Sequence, residues 1–296
     1  MWSEQTRRLI QIAIEEDLGA GDLTAALLPE PDRVVVARVT PRESGVICGL
    51  SLGPEIASGF GARLGASLSF EPLPNGSRAW QDGDRVAAGQ AVAELRGPSA
   101  AVLSCERTLL NFLTRLSGVA SLTRRYVDAA RAASATVQVL DTRKTVPGWR
   151  ELDKYAVRCG GGVNHRSGLY DAVLIKDNHL AGVPLGQLAG HVRAMLARLT
   201  RPAAFIEVEI DALEQLEPVC SVVGVGLILL DNFPLDGLRQ AVARRDALGL
   251  RGRVLLEASG GVMLETIGAV AATGVDRISV GALTHSAVGL DVGLDC

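Results

Sequence analysis

Residues 226–259 read "GLILLDNFPLDGLRQAVARRDALGLRGRVLLEAS". An apolar run of strand length, 226–231, comes first. A helical pattern over 235–247 follows, and a second apolar run closes the stretch at 253–259. Two near-continuously apolar strands joined by a helix are the signature of a parallel sheet covered on both faces. The same alternation extends in both directions. "VQVLD" (137–141), "AVLI" (172–175), "AFIEVEI" (204–210) and "DRISVG" (276–281) are further strand-length runs, and 185–199 is another helical pattern. About six such units predict an α/β fold. They suit an incomplete α/β barrel of about six parallel strands, fewer than the usual eight. An open doubly wound sheet is the structural rival.

The N-terminal part has a different character. Residues 4–17 carry Leu9, Ile10, Ala13 and Ile14 at helical spacing, with Ser3 as N-cap and Gly19 beyond the end. "VVVARVTPRESGVICG" and "GDRVAAGQAVAELRG" read as short strands broken by turn residues. The second has the look of a biotin- or lipoyl-carrier hairpin but lacks the lysine such a turn needs, so it reads as structural sheet. From Ser104 to about Ala133 the pattern is helical, and Gly118 is expected to divide it into two helices.

The 296 residues are 48% hydrophobic and 21% charged, as in a soluble globular protein. A net charge of -3 argues against general affinity for nucleic acid. Cys48, Cys105, Cys159, Cys220 and Cys296 show no zinc-ligand or redox-pair spacing and read as reduced thiols in a cytoplasmic protein. The start lacks a signal-peptide core, and no run approaches membrane-span length.

Polar groups collect at the C-terminal ends of the predicted strands, where α/β barrels place their active sites. Asp141, Thr142, Arg143 and Lys144 stand at the end of the first strand, and Lys176 and Asp177 at that of the second. Glu207 and Glu209 lie within the third and Asp231 ends the fourth. Glu257, Ser259, Gly260 and Gly261 end the fifth, and Val280 and Gly281 the sixth. Arginine forks match carboxylates and phosphates. Glu207 and Asp231 supply hard oxygen ligands suited to Mg²⁺ beside a phosphate. "ASGG" and "SVGAL" present small residues before a helix, either as plain turns or as phosphate-binding backbone.

Two local features sharpen this reading. Of 30 Lys+Arg, only Lys144, Lys154 and Lys176 are lysine, and all three fall in one window. A compact ammonium is not interchangeable with a planar guanidinium. The same window holds "GGGVNHRSG" (160–168), three glycines followed by His165 and Arg166. Such glycines let backbone turn tightly or approach a neighbour. The rim therefore reads as a pocket for a polyanionic substrate and a metal-bound diphosphate.

"ERTLLNFLTRLSGVAS", "DTRKTVPGWRELDKYAVRCGGGVNHRSGLYDAVLIKDNH", "IEVEID", "LLDN", "EASGG" and "GVDRISVGALTHS", with "EDLGAGDLT" near the start, closely resemble the quinolinate phosphoribosyltransferase family. The resemblance runs from about residue 15 to the end, with Phe233 in place of an expected methionine as a mild departure. It implies the conversion of quinolinate and phosphoribosyl pyrophosphate to nicotinate mononucleotide, pyrophosphate and CO₂ with Mg²⁺, a step of NAD biosynthesis. It implies an N-terminal α/β sandwich (1–115, joined by a C-terminal tail, 285–296) and a barrel domain (116–284). It also implies a homodimer, or a hexamer built of dimers, with shared active sites. By the same match Arg143, His165, Arg166 and Arg107 of the partner subunit hold the two carboxylates, with Lys144 close by, and Thr142 is a further substrate-binding residue. Lys144 and Lys176 neutralise the diphosphate, Glu207 and Asp231 take Mg²⁺ or ribose hydroxyls, and 259–261 with 280–281 take the 5′-phosphate. Rival readings are transfer to a related acid, a Schiff-base lyase using Lys176, and a non-catalytic carrier module.

Overall fold

The computed structural model describes residues 2–295. The chain divides into two compact units. Residues 1–124, 145–161 and 283–296 form one; residues 125–144 and 162–282 form the other.

In the first unit a four-stranded antiparallel sheet has the order Val292–Asp295, Val34–Pro41, Ala93–Pro98, Ser69–Pro72. Helices Glu4–Leu18 and Gly53–Leu64 belong to the same unit and bury Ile10, Ile14, Ile56 and Phe60. Ser3 caps the first helix, its Oγ accepting from the N–H of Thr6. The 83–97 stretch is structural sheet, as expected, though not a hairpin: Arg85–Val86 pairs with Gly45–Val46, and Ala93–Pro98 with Val34–Pro41 and Ser69–Pro72. One expectation fails here. The helix Ser99–Ala133 is continuous, with no break at Gly118. A Cβ at Gly118 would stand 2.1 Å from Val288 O and 2.8 Å from Gly289 Cα. The glycine is a place of close backbone approach, not a stop signal.

The second unit holds six parallel strands in the order Gln138–Leu140, Arg277–Ser279, Leu255–Ser259, Leu227–Asp231, Ile206–Ile210, Val173–Ile175. The last five in sequence follow one another in space, and the first lies beside the last. This is the circular order of a barrel left open between its first two strands. A doubly wound sheet would instead reverse direction near its middle.

Register fixes what each strand face does. Glu209, Leu229, Glu257 and Arg277 are neighbours across successive strands. Period-2 alternation puts Glu207, Asp231, Ser259 and Ser279 on that same face. The opposite face carries Val208, Ile210, Ile228, Leu230, Leu256, Ala258 and Ile278, all buried. Helical residues Leu188, Val192, Leu216, Val219, Leu238 and Ile267 are buried as well. Each such side chain removed from water is worth about 1.5–3 kcal/mol. Apolar burial on one face thus holds the sheet together, while the other face is left to ionisable groups.

Candidate active site

At the C-terminal ends of the strands lies a cavity of about 370 Å³. Thr142, Arg143, Lys144, His165, Arg166 and Lys176 line it, together with Glu209, Asp231, Glu257, Ser259 and Ser279. Leu174 and Leu229 supply its apolar wall. A larger hollow of about 470 Å³ opens among Ser134, Gln138, Arg245, Asp246, Leu255 and Asp276. Its buried arginine, Arg245, is already held by Asp246 and Asp276, each at 2.6 Å. The smaller cavity, with four cations, is the better anion site.

The segment after the glycines is built to present His165 and Arg166. A Cβ on Gly160 would meet Ala120 O and Thr123 Cβ at 2.5 Å, so only glycine fits there. Gly161 has φ +87, in the left-handed region. Asp141, fully buried, then grips the turn: Oδ1 accepts from the N–H of His165 at 2.8 Å and Oδ2 from Asn164 Nδ2 at 2.5 Å. Asp171 accepts from the N–H groups of Ser167 and Gly168.

The His165 ring has a defined tautomer. The N–H of Arg166 donates to Nδ1 at 2.8 Å, so the neutral ring carries its proton on Nε2. That Nε2–H meets Glu207 Oε2 at 2.8 Å. Phe205 packs edge-on against the ring. Glu257 Oε1 lies 3.5 Å from the same Nε2, and Arg277 Nε lies 2.8 Å from Glu257 Oε2. The Arg277 contact brings the charges together without hydrogen-bond alignment, since both atoms lack a hydrogen-bond partner among the described residues.

Glu207 and Glu257 are fully buried. Burial pushes Glu207 up to about 7, outweighing the opposing pull of Arg277 and Arg166. Burial, and then the charge of Glu207, pushes Glu257 up to about 7 as well. Burial and the neighbouring Arg143 hold the Arg166 guanidinium below its usual range. Arg143 Nε is buried with no hydrogen-bond partner among the described residues, as expected of a donor set facing a ligand. Lys176 Nζ pairs with Glu209 Oε2 at 3.0 Å.

The expected residues therefore converge only in part. Thr142, Arg143, Lys144, His165, Arg166, Lys176, Asp231 and Ser259 share the cavity wall. Glu207 does not: it sits one layer deeper, committed to His165, and Glu209 occupies the wall instead. Glu257 also lines the wall, though sequence gave it no role. Gly260, Gly261, Val280 and Gly281 follow wall residues Ser259 and Ser279 without lining the cavity themselves. Gly260, at φ +100, fits against Asn232, whose Oδ1 would stand 2.1 Å from a Cβ. Arg107 belongs to the other unit, on the helix Ser99–Ala133, with its side chain 75% exposed. Of the three lysines, Lys144 and Lys176 reach the wall, while Lys154 is buried in the helix Arg150–Cys159.

His165, Glu207 and Glu257 offer ligand atoms within 4.8 Å of one another, a spacing that could suit a metal ion. Arg277 already supplies positive charge to this group, and a nitrogen donor suits Mg²⁺ poorly. Glu209 and Asp231, oxygen donors on the cavity wall, fit Mg²⁺ beside a phosphate better.

Both parts of the chain have relatives among known proteins. Residues 22–117 match the N-terminal domain of quinolinate phosphoribosyl transferase, and residues 119–295 match its C-terminal domain. The nicotinate-nucleotide pyrophosphorylase [carboxylating] of Mycobacterium leprae is 42% identical over 293 residues, covering 99% of this chain and 97% of that one. The probable enzyme of the same name from Bacillus subtilis is 38% identical, covering 98% and 93%. The solved nicotinate-nucleotide pyrophosphorylase of Francisella tularensis superimposes with a TM-score of 0.85 at 34% identity, covering 100% of this chain and 97% of that chain. With both domains matched and the strand-end cavity in place, the chain belongs to the quinolinate phosphoribosyltransferase family.

Proposed function

We propose that the cavity joins quinolinate to phosphoribosyl pyrophosphate and releases pyrophosphate and CO₂, leaving nicotinate mononucleotide. The observation that carries this reading is the convergence of Arg143, Lys144, Arg166 and Lys176 on one hollow that also holds Glu209 and Asp231. Cations suit a dicarboxylate and a diphosphate, and the acids suit the sugar between them.

Arg143, Arg166 and His165, with Thr142, hold the adjacent carboxylates of the pyridine. Arg107 of the partner subunit completes this grip in a homodimer or a hexamer of dimers. The ring nitrogen attacks C1′ of the ribose as pyrophosphate leaves. Lys144 and Lys176 offset the charge on that leaving group. Asp231 and Glu209 face the ribose hydroxyls and the positive charge that grows at C1′. Fixed charges placed where charge develops are worth roughly 3–4 kcal/mol for one well-set group. Asp231 and Glu209 would hold Mg²⁺, which would supply positive charge to offset that of the diphosphate. The hydroxyls of Ser259 and Ser279, with backbone N–H groups at 260–261 and at Gly281, donate to the 5′-phosphate; the N–H of Val280 is already given to Leu140 O. The alkylated ring nitrogen is cationic, so it accepts the electrons left when CO₂ departs, and the ring carbon then takes up a proton.

A Schiff-base lyase is less well supported. Lys176 is half exposed and ion-paired with Glu209, not desolvated as an imine-forming amine needs to be. Among the described residues no helix is long and apolar enough to cross a membrane. Cys48, Cys105, Cys159 and Cys220 are free thiols, in keeping with a cytoplasmic setting; Cys296 lies outside the described residues. The test is incubation with phosphoribosyl pyrophosphate, Mg²⁺ and either quinolinate or nicotinate. Nucleotide and CO₂ from quinolinate alone support the reading; product from nicotinate, or none from quinolinate, overturns it.

A further inference from the structure

Among the described residues Asn232 is the one non-glycine with a positive φ, at +55. The left-handed region is sterically costly for most side chains and is tolerated best by asparagine and aspartate, whose short polar groups bond locally. Asn232 follows Asp231, which ends the strand Leu227–Asp231 and lines the strand-end cavity. Asn232 itself does not line that cavity.

Three contacts show what this turn achieves. The N–H of Asn232 donates to Ser259 O at 2.9 Å, carrying the parallel pairing of Asp231 with Ser259 one step further. Nδ2 donates to Asp231 Oδ2 at 2.8 Å, and no other hydrogen bond to that carboxylate is found among the described residues. Oδ1 lies over Gly260, where a Cβ would stand 2.1 Å from it and 2.6 Å from Cγ. Gly260 is itself left-handed, at φ +100, so its bare backbone serves both its own turn and the approach of Asn232. One amide thus spans the ends of two adjacent strands. Its nitrogen goes to the carboxylate on the first, and its oxygen rests on the glycine turn of the second.

Under the proposed function Asp231 faces the ribose hydroxyls, and the backbone at 260–261 meets the 5′-phosphate. On that reading we infer that Asn232 is a positioning residue for phosphoribosyl pyrophosphate. Its amide holds the Asp231 carboxylate and seats the Gly260 turn, and so sets the spacing between the ribose grip and the phosphate grip. A hydrogen bond to an ionised carboxylate is among the stronger kind. With Oδ2 engaged, Oδ1 is the oxygen left for the ribose hydroxyls or for Mg²⁺. Asn232 touches no reacting atom; it acts through its two neighbours. Arg143, His165 and Arg166, which grip the pyridine carboxylates, stand on other segments of the chain. Loss of the amide therefore falls on one substrate and spares the other.

The test compares the full wild-type chain with Asn232→Gly and Asn232→Asp. Both replacements tolerate a left-handed backbone, and neither carries the amide donor. Steady-state kinetics with Mg²⁺ gives KM for each substrate. Calorimetry without Mg²⁺ gives Kd for nicotinate mononucleotide, which presents a ribose and a 5′-phosphate to the same groups. The expected result in both variants is a rise of about 10-fold in KM for phosphoribosyl pyrophosphate and in Kd for the mononucleotide, as loss of a hydrogen bond to a charged group implies. KM for quinolinate and Tm are expected to stay close to wild type. Should one variant fail to fold, the other decides. Wild-type KM and Kd in a folded variant would mean that the backbone turn alone is needed, and would overturn the inference. An equal rise in KM for both substrates would overturn it too. A wild-type chain that neither converts quinolinate nor binds the mononucleotide would instead overturn the proposed function, and this inference with it.

Discussion

His165 Nε2 donates to Glu207 Oε2 at 2.8 Å beneath the cavity, while Glu209, two residues along the same strand, reaches the cavity wall. The two glutamates share a strand face but differ in surroundings: Glu207 accepts from the imidazole, and Glu209, under the proposed function, faces the ribose. Glu207→Gln is expected to raise KM for quinolinate by about 10-fold, since it weakens a charge-assisted hydrogen bond worth about 1.5–3 kcal/mol. Glu209→Gln is expected to raise the requirement for Mg²⁺ or phosphoribosyl pyrophosphate instead. Steady-state kinetics with each substrate varied in turn separates the two. Identical effects from both variants would refute the division.

The lysines carry the second prediction. Lys144→Ala and Lys176→Ala are each expected to lower kcat about 100- to 1000-fold with little change in circular dichroism or Tm. Lys→Arg at either position is not expected to restore activity, because a planar fork does not replace a compact charge. Near-normal turnover in either alanine variant would remove that lysine from the mechanism.

Burial of the glutamates sets a pH dependence of stability. Native Glu257 keeps its proton up to about pH 7, whereas its ordinary value is 4.5. Between those values the folded chain binds more protons than the unfolded one, so stability falls as pH rises. The contribution is fully present below pH 4.5 and lost above about 7. Glu257→Gln is expected to flatten the fall in Tm between pH 5 and 7.5. At pH 7.5 the flattening should be on the order of 1–3 kcal/mol. A parallel profile in the variant would contradict this.

Gly160→Ala tests the packing behind the His165 turn. Its Cβ would stand 2.5 Å from a backbone oxygen and a threonine Cβ, neither at the end of a flexible side chain. Overpacking of this kind costs typically 1–3 kcal/mol, which thermal melts can measure. Unchanged Tm would show that the helix Ser99–Ala133 yields at this point.

Shared sites predict complementation. Arg107→Ala and Lys176→Ala chains, each inactive alone, are expected to regain part of wild-type activity when mixed, through hybrid sites holding both residues. Absence of recovery, with subunit exchange shown by mixed-mass oligomers, would place Arg107 outside the site.

Much of this was readable from sequence, for physical reasons. The six strands of the second unit stood out because one face of each is apolar and buried, and helical patterns fall between most of them. Arg143, Lys144 and Lys176 stood out because they follow those runs directly, and Arg166 because it follows the glycines of 160–162. What stayed hidden depended on depth or on distant neighbours. Glu207 and Glu209 are equivalent under a period of two, and only the position of the cavity mouth tells them apart. Gly118 looked like a helix break because nothing local announces the backbone at Val288 and Gly289. The pairing of Arg85–Val86 with Gly45–Val46 spans a distance at which short strands carry no partner signal.

The central claim is that Arg143 and Arg166 hold the two carboxylates of quinolinate in the strand-end cavity. Titration calorimetry of quinolinate against the wild-type chain, Arg143→Ala and Arg166→Ala tests it most directly. The account predicts that each substitution weakens binding at least about 10-fold, as loss of a charge-assisted pair requires. Wild-type Kd retained in both variants would contradict it.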